Sequence, residues 1–197
     1  MTTETPPRLV VGISGASGIP LAVRTVRALS DHFEVHAIVT EAAKTVIENE
    51  TEDREAPLQQ IRSASSVVYH ESDLGAPIAS GSFGTDGMVV VPASMKSVAG
   101  IRTGLSENLL VRAADVTLKE DRPLVVVPRE TPLSEIHLEN LLELRRRGVA
   151  VVPPVLGFYF QPESMEDLLD HVVGKILERF DIEHDRYPEW DGFDRGE

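Results

Sequence analysis

One doubly wound α/β domain, three layers deep, is what this sequence predicts, and three observations predict it. Six short apolar runs rich in β-branched residues recur along the chain. Amphipathic stretches with helical spacing alternate with them, and the first run ends in a glycine-rich turn that opens a helix. The runs are Leu9 to Ile13, Val35 to Val39, Val67 to Tyr69, Met88 to Val91, Leu124 to Val127 and Val149 to Val152. Each reads as a short buried strand, and six of them suggest one mostly parallel sheet. Between them, Leu21 to Leu29, Ala42 to Ile47, Asn108 to Leu118, Glu139 to Arg147 and Met165 to Phe180 carry helical patterns. That β-α-β-α order is Rossmann-like or flavodoxin-like.

The 197 residues fit a single domain, with a core over about 8–180 and a polar, acidic tail over 181–197 in which Trp190 is the only large anchor. Glu48 to Glu55 and Ser72 to Asp86 read as loops within it, the second long enough to be a binding loop or a surface excursion. No segment approaches the ~18 continuous apolar residues of a membrane span, and the first residues lack the basic-then-apolar order of a secretory signal. A cytoplasmic location is the default expectation. Thirty-two acidic against 19 basic residues give a formal charge of −13, which argues against nucleic acid as a partner. A halophilic surface and an ordinary acidic one are both open. There is no cysteine, hence no disulfide and no thiolate metal site or nucleophile.

In open α/β sheets ligands bind beyond the carboxyl ends of the strands, so the residues after each run are the candidate site. After the first come Ser14, Gly15, Ala16, Ser17 and Gly18, then Pro20 near the start of a helix whose free N–H groups suit phosphate. The glycines at 12, 15 and 18 depart from the dinucleotide fingerprint, which would place glycine where Ile13 stands. The second run ends in Thr40 rather than a ribose-binding acid. Phosphate or the polar edge of a flavin therefore fits better than NAD, although glycines that only make a tight turn would look the same. The fourth and fifth runs end in polar turns that carry the cations Lys96 and Arg129, with Glu130 beside the latter as a general acid or an ion-pair partner. Pro153 to Phe160, taken alone, reads as core. The six histidines show no metal-ligand spacing, so no metal is expected, and Ser17 imitates the nucleophile elbow of hydrolases only in part.

Four blocks together, "GISGASG", "SGSFGTDGMVVVPASMKSVAGI", "RAADVTLKEDRPLVVVPRETPLSEIHLENL" and "PPVLGFYFQPESMEDLLDHVVGKIL", closely resemble the UbiX-type flavin prenyltransferases, in order and from about Val10 to Phe180. The resemblance implies a homododecamer that joins a dimethylallyl group from dimethylallyl phosphate to reduced FMN, at N5 and C6. The product would be prenylated FMN, the cofactor of UbiD-type decarboxylases. It further implies FMN contacts at Gly15, Ala16, Ser17, Thr40, Ser94, Met95, Lys96, Ser97 and Arg129. The prenyl phosphate would be held by Tyr159 and Lys175, with Arg112 and Lys119 as further phosphate ligands, and the functional carboxylates fall on Glu50 and Glu130. As to mechanism, Ser17 with Glu50 would handle the flavin N5 proton, and aromatic faces would steady the allylic cation, Trp190 being one candidate wall. Two departures stand out: Ala93 replaces a frequent cysteine, and Phe160 stands where many members have histidine after the tyrosine. The rival readings are an FMN-dependent decarboxylase or oxidoreductase, and a non-enzymatic FMN carrier.

Overall fold

A computed structural model describes residues 6–190 and 192; the remainder of the expected tail lies outside the described residues. Six strands, β1 (Arg8–Ile13), β2 (Glu34–Val39), β3 (Val67–His70), β4 (Met88–Ala93), β5 (Leu124–Pro128) and β6 (Ala150–Val151), form one sheet in the order β3-β2-β1-β4-β5-β6. Every pairing is parallel. This is the doubly wound order with its switch point between β1 and β4, where the chain leaves one face of the sheet for the other. The six predicted strands are all present, within a residue or two of their expected bounds.

Alternation along β1 sorts its side chains between two cores: Leu9, Val11 and Ile13 face one, Val10 the other. The first core is covered by α1 (Ile19–Ser30), α2 (Glu41–Glu50), α3 (Ala56–Ser63) and α7 (Met165–Leu177). The second is covered by α4 (Met95–Thr103), α5 (Leu109–Lys119) and α6 (Glu135–Arg146). Two of these helices were not expected. In α4 only Met95, Val98 and Ile101 are buried, and it begins inside what reads as a polar turn. In α3 only Pro57 and Ile61 are buried over eight residues, too few for a periodic signal.

The long segment after β3 contains a single 3₁₀ turn, Pro77–Ala79, and crosses between the two faces. Arginine donors pin it: Arg122 reaches the carbonyls of Gly81 and Phe83 and the Thr85 hydroxyl at 3.0–3.1 Å, and Arg112 Nε reaches the Ala79 carbonyl at 3.1 Å. A second clamp fixes the C-terminal segment. Asp170 on α7 accepts both forks of Arg24 from α1 at 2.9 Å and Arg186 from the tail at 2.7 Å.

Arg24, and secondarily Arg186, hold the Asp170 carboxyl below its ordinary value of 3.8. Because the folded-state pKa is depressed, the clamp's contribution is present above that value and is lost as pH falls through the lower folded one. Asp170→Asn is therefore expected to cost ~1 kcal/mol near neutrality, lowering Tm by about 2–4 °C. The gap between the two melting curves should close as the pH drops below the ordinary aspartate range, which a pH series of thermal melts reads directly.

Candidate functional site

The switch point is where the predicted turns meet. Ser14 Oγ donates to the Pro92 carbonyl at 2.8 Å and accepts from Ser94 N–H at 2.7 Å, tying the tip of β1 to that of β4. Thr40 N–H donates to the Ile13 carbonyl at 3.1 Å and Arg129 N–H to the Ala93 carbonyl at 3.1 Å. Gly15, Ala16, Ser17, Thr40, Ser94, Met95, Lys96, Ser97 and Arg129 thus share one edge of the sheet, at the ends of the adjacent strands β2, β1, β4 and β5.

Helix starts dominate this edge. Thr40 caps α2, its hydroxyl accepting from Ala43 N–H at 3.1 Å, and Ser94 caps α4, accepting from Ser97 N–H at 3.2 Å. The N–H groups of Met95 and Lys96 lie in the first turn of α4 and have no intrahelical acceptor, as helix geometry dictates. At Gly15 a Cβ would collide with the Ala42 methyl, so α2 packs directly on the bare turn. Glu50, at the end of α2, folds back to the start of α1 and accepts from Gly18 N–H and Ile19 N–H at 3.1 Å. Lys96 is 81% exposed and paired with Glu107 at 3.2 Å. Arg129 is exposed, without an ion-pair partner among the described residues. Glu130 is also exposed and accepts from Thr131 N–H rather than pairing with Arg129.

Two of the expected donor ligands, Tyr159 and Lys175, line a separate cleft of about 820 Å³ together with Glu178, His184, Tyr187 and Trp190 among others. Here the residues from Pro153 to Phe160 correct the reading as core. Val155 is 66% exposed and Phe158 68% exposed, because β6 is a two-residue edge strand and the chain beyond it leaves the sheet. Tyr159 meets Trp190 edge-on at 5.7 Å, and its hydroxyl lies 3.3 Å from His171 Nε2.

Lys175 Nζ is held by the Glu178 carboxylate at 3.0 and 3.3 Å and stands 4.9 Å over the Tyr187 ring. The Tyr187 hydroxyl, then Glu178, raise the Lys175 pKa above the ordinary lysine value, so the cation persists. Burial works against the Glu178 carboxylate, yet Tyr187 and Lys175 together hold its pKa below the ordinary glutamate value. Sequence reasoning missed Glu178, Tyr187 and His171. The spacing of Glu178 three residues after a helical lysine is the one signal that pointed to the first.

Arg112 and Lys119 do not join either group within one chain. They sit seven positions apart on α5, about 10 Å along its axis. Arg112 is bonded to the Ala79 carbonyl and to Asp115, at 2.7 Å for the latter. Lys119 ends α5 shortly before β5 begins, at the opposite edge of the sheet, and pairs with Glu120. Among the described residues no cluster of three or more His, Asp or Glu side chains is arranged to hold a metal, and no helix is long and apolar enough to cross a membrane.

The family model described as Flavoprotein matches residues 1–178. A probable UbiX-like flavin prenyltransferase of Streptomyces sp. (strain D7) is 51% identical, over 94% of this chain and 92% of its own. Two solved structures share the fold throughout. A protein described as a dodecameric FMN-dependent UbiX-like decarboxylase from Escherichia coli O157:H7 superposes with a TM-score of 0.89 at 47% identity, covering 94% of this chain and 100% of that one. AnUbiX (PadA1), in complex with FMN and dimethylallyl pyrophosphate, gives 0.91 at 42% identity, covering 96% and 100%.

Proposed function

The chain belongs to the UbiX-like flavin prenyltransferases of the flavoprotein family, and we propose from that premise that it joins the dimethylallyl group of dimethylallyl phosphate to reduced FMN, releasing phosphate. The observation that carries this reading is the pairing of two unlike sites in one chain. A strand-end turn between capped helix starts suits a flavin mononucleotide, and a cleft holding a phenol and a persistent cation suits a second phosphate. A flavoprotein that only carried FMN would have no need of the second.

The residues at the switch point fit FMN: the Gly15–Ala16–Ser17 turn is tied through Ser14 to the start of α4, the first-turn N–H groups of α4 suit phosphate, and Arg129 supplies an exposed cation. When bound, the reduced flavin supplies the nucleophilic N5 and C6. Lys175 and the Tyr159 hydroxyl hold the donor's phosphate and stabilise its charge as the C–O bond breaks. Glu130 serves the departing phosphate as proton donor, and Glu50, beside the Ser17 turn, takes the proton lost from N5 with Ser17. The aromatic faces of Tyr159 and Trp190 line the cleft in which positive charge builds on the allyl carbon.

Arg112 and Lys119 join this chemistry from neighbouring copies in a homododecamer. Self-association is supported by the apolar residues left bare on and before α6, among them Ile136 (67% exposed), Leu138 and Leu142, and by the assembly of the Escherichia coli neighbour. The prenylated flavin then serves a UbiD-type decarboxylase. Flavin recovered after anaerobic turnover is expected to restore decarboxylation by such an enzyme prepared without its cofactor. Carbon dioxide released from an aromatic acid by this chain alone would favour the decarboxylase reading instead.

Gly174 offers a sharper local test. A Cβ there would come within 2.5 Å of the Tyr187 ring and 2.6 Å of His184, so the tail seats on a bare patch of α7. Gly174→Ala favours the helix by up to ~1 kcal/mol yet lifts the tail from the cleft. Thermal melting should shift by only a few degrees, the helix gain offsetting the loosened tail contacts, while KM for dimethylallyl phosphate increases; an unchanged KM would separate the tail from donor binding.

A further inference from the structure

Behind Tyr159, His171 projects from α7 into a shell of rings: Tyr187 at 4.8 Å, Phe160 at 5.3 Å and Tyr159 at 5.8 Å. It does not line the cleft that Tyr159 lines. Its two nitrogens have unlike surroundings. Nε2 lies 3.3 Å from the Tyr159 hydroxyl, whereas Nδ1 is buried and has no hydrogen-bond partner. The Gly157 backbone closes off that edge, since a Cβ there would fall 3.2 Å from Cε1 and 3.4 Å from Nδ1.

This asymmetry selects the tautomer. With the proton on Nδ1, a donor would be buried without an acceptor, the costlier kind of orphan; with the proton on Nε2, only a lone pair is left bare. Burial, and then the neighbouring Lys175, lower the pKa of His171, so the ring stays neutral with a single proton to place. If Nε2–H donates to the tyrosine oxygen, the tyrosine's own proton is left to point elsewhere.

We infer that His171 is a positioning residue, whose Nε2–H donates to the Tyr159 hydroxyl oxygen and so turns the tyrosine proton toward the phosphate of the prenyl donor. The inference rests on the reading of Tyr159 as a donor-phosphate ligand. It also gives Phe160 a context. Phe160 packs on the same imidazole at 5.3 Å and helps to fix the plane of the ring.

A double-mutant cycle tests it, with purified protein, reduced FMN and dimethylallyl phosphate under anaerobic conditions. His171→Phe keeps a ring in the shell and removes the donor; it should raise KM for dimethylallyl phosphate about 3- to 10-fold while FMN affinity and Tm hold. His171→Gln, whose amide N–H reaches the Nε2 position, should return KM to within about twofold of the parent. In a Tyr159→Phe background, His171→Phe should change KM no further, because no hydroxyl remains to be oriented.

Additive effects, or a Gln variant no better than Phe, would overturn the inference. Should the Phe variant fail to fold, His171→Asn, whose amide reaches only the Nδ1 position, replaces it against Gln with the same expectation. The premise fails separately: if Tyr159→Phe alone leaves KM unchanged, Tyr159 is no phosphate ligand and both readings fall. If Tyr159→Phe raises KM and His171→Phe does not, only the role of His171 falls.

Discussion

Glu50→Gln is expected to bind FMN as the parent chain does and yet to lose prenyl transfer by about 10²- to 10⁴-fold, the usual range for a general acid-base step. The structure makes this test selective. The Glu50 carboxylate sits against the start of α1, accepting from Gly18 N–H and Ile19 N–H, next to the turn that carries Ser17. Glutamine keeps one carbonyl oxygen for those donors, so the helix start stays partly capped. The lost charge costs only ~0.3–1 kcal/mol at a helix N-terminus. Stability and flavin affinity therefore report the capping role, and turnover reports the proton-transfer role. A variant that melts slightly lower and turns over within tenfold of the parent would leave Glu50 as a cap and nothing more.

Lys175→Gln is expected to raise KM for dimethylallyl phosphate by about 10- to 100-fold, the worth of a charge-assisted hydrogen bond, with FMN affinity unchanged. Two effects add. The cation that meets the phosphate is gone, and the Glu178 carboxylate that it neutralised is left facing an anionic substrate beside the Tyr187 hydroxyl. Lys175→Arg keeps the charge and should recover most of the loss, whereas Lys175→Gln combined with Glu178→Gln should recover part by removing the repulsion. Steady-state kinetics over donor concentration at saturating flavin separates these outcomes. An unchanged KM in the single variant would take Lys175 out of the donor site.

The fold was legible because its signals are local. Six β-branched runs and the turns after them stand out without reference to anything distant, and Thr40 and Ser94 are recognisable helix caps once a helix is suspected behind them. What stayed hidden depends on packing. The strand order, and so the meeting of the first and fourth turns, is realised through Ser14, a residue that reads as one more small polar side chain in a glycine-rich turn. The start of α4 was masked because Lys96, Ser97 and Gly100 dilute a stripe of only three buried residues. The segment from Pro153 to Phe160 carries as much apolar character as any strand. Composition cannot show that Val155, Leu156 and Phe158 stay exposed among the described residues.

The site divides in the same way. The residues proposed to face the flavin lie in short segments at the ends of neighbouring strands, so their turns stand out by position, and the resemblance names the residues within them. Those proposed to hold the donor's phosphate come from the loop after β6, from α7 and from α5, and which of them meet is decided by tertiary packing. Tyr159 and Lys175 meet in one cleft. Arg112 and Lys119 are committed within their own chain to the Ala79 carbonyl, Asp115 and Glu120, at sites that sequence spacing cannot place. Among the residues in and behind that cleft, Glu178 is signalled only by its spacing from Lys175, and Tyr187 and His171 carry no motif.

The most direct test of prenyl transfer is the mass of the flavin. Purified protein, reduced FMN and dimethylallyl phosphate are combined without oxygen, and the flavin is then extracted and weighed by mass spectrometry. Prenyl transfer yields a flavin heavier by one dimethylallyl unit, formed only when donor and protein are both present and accompanied by an equal amount of free phosphate. Flavin recovered at its original mass, from protein that demonstrably binds FMN and the donor, would contradict it.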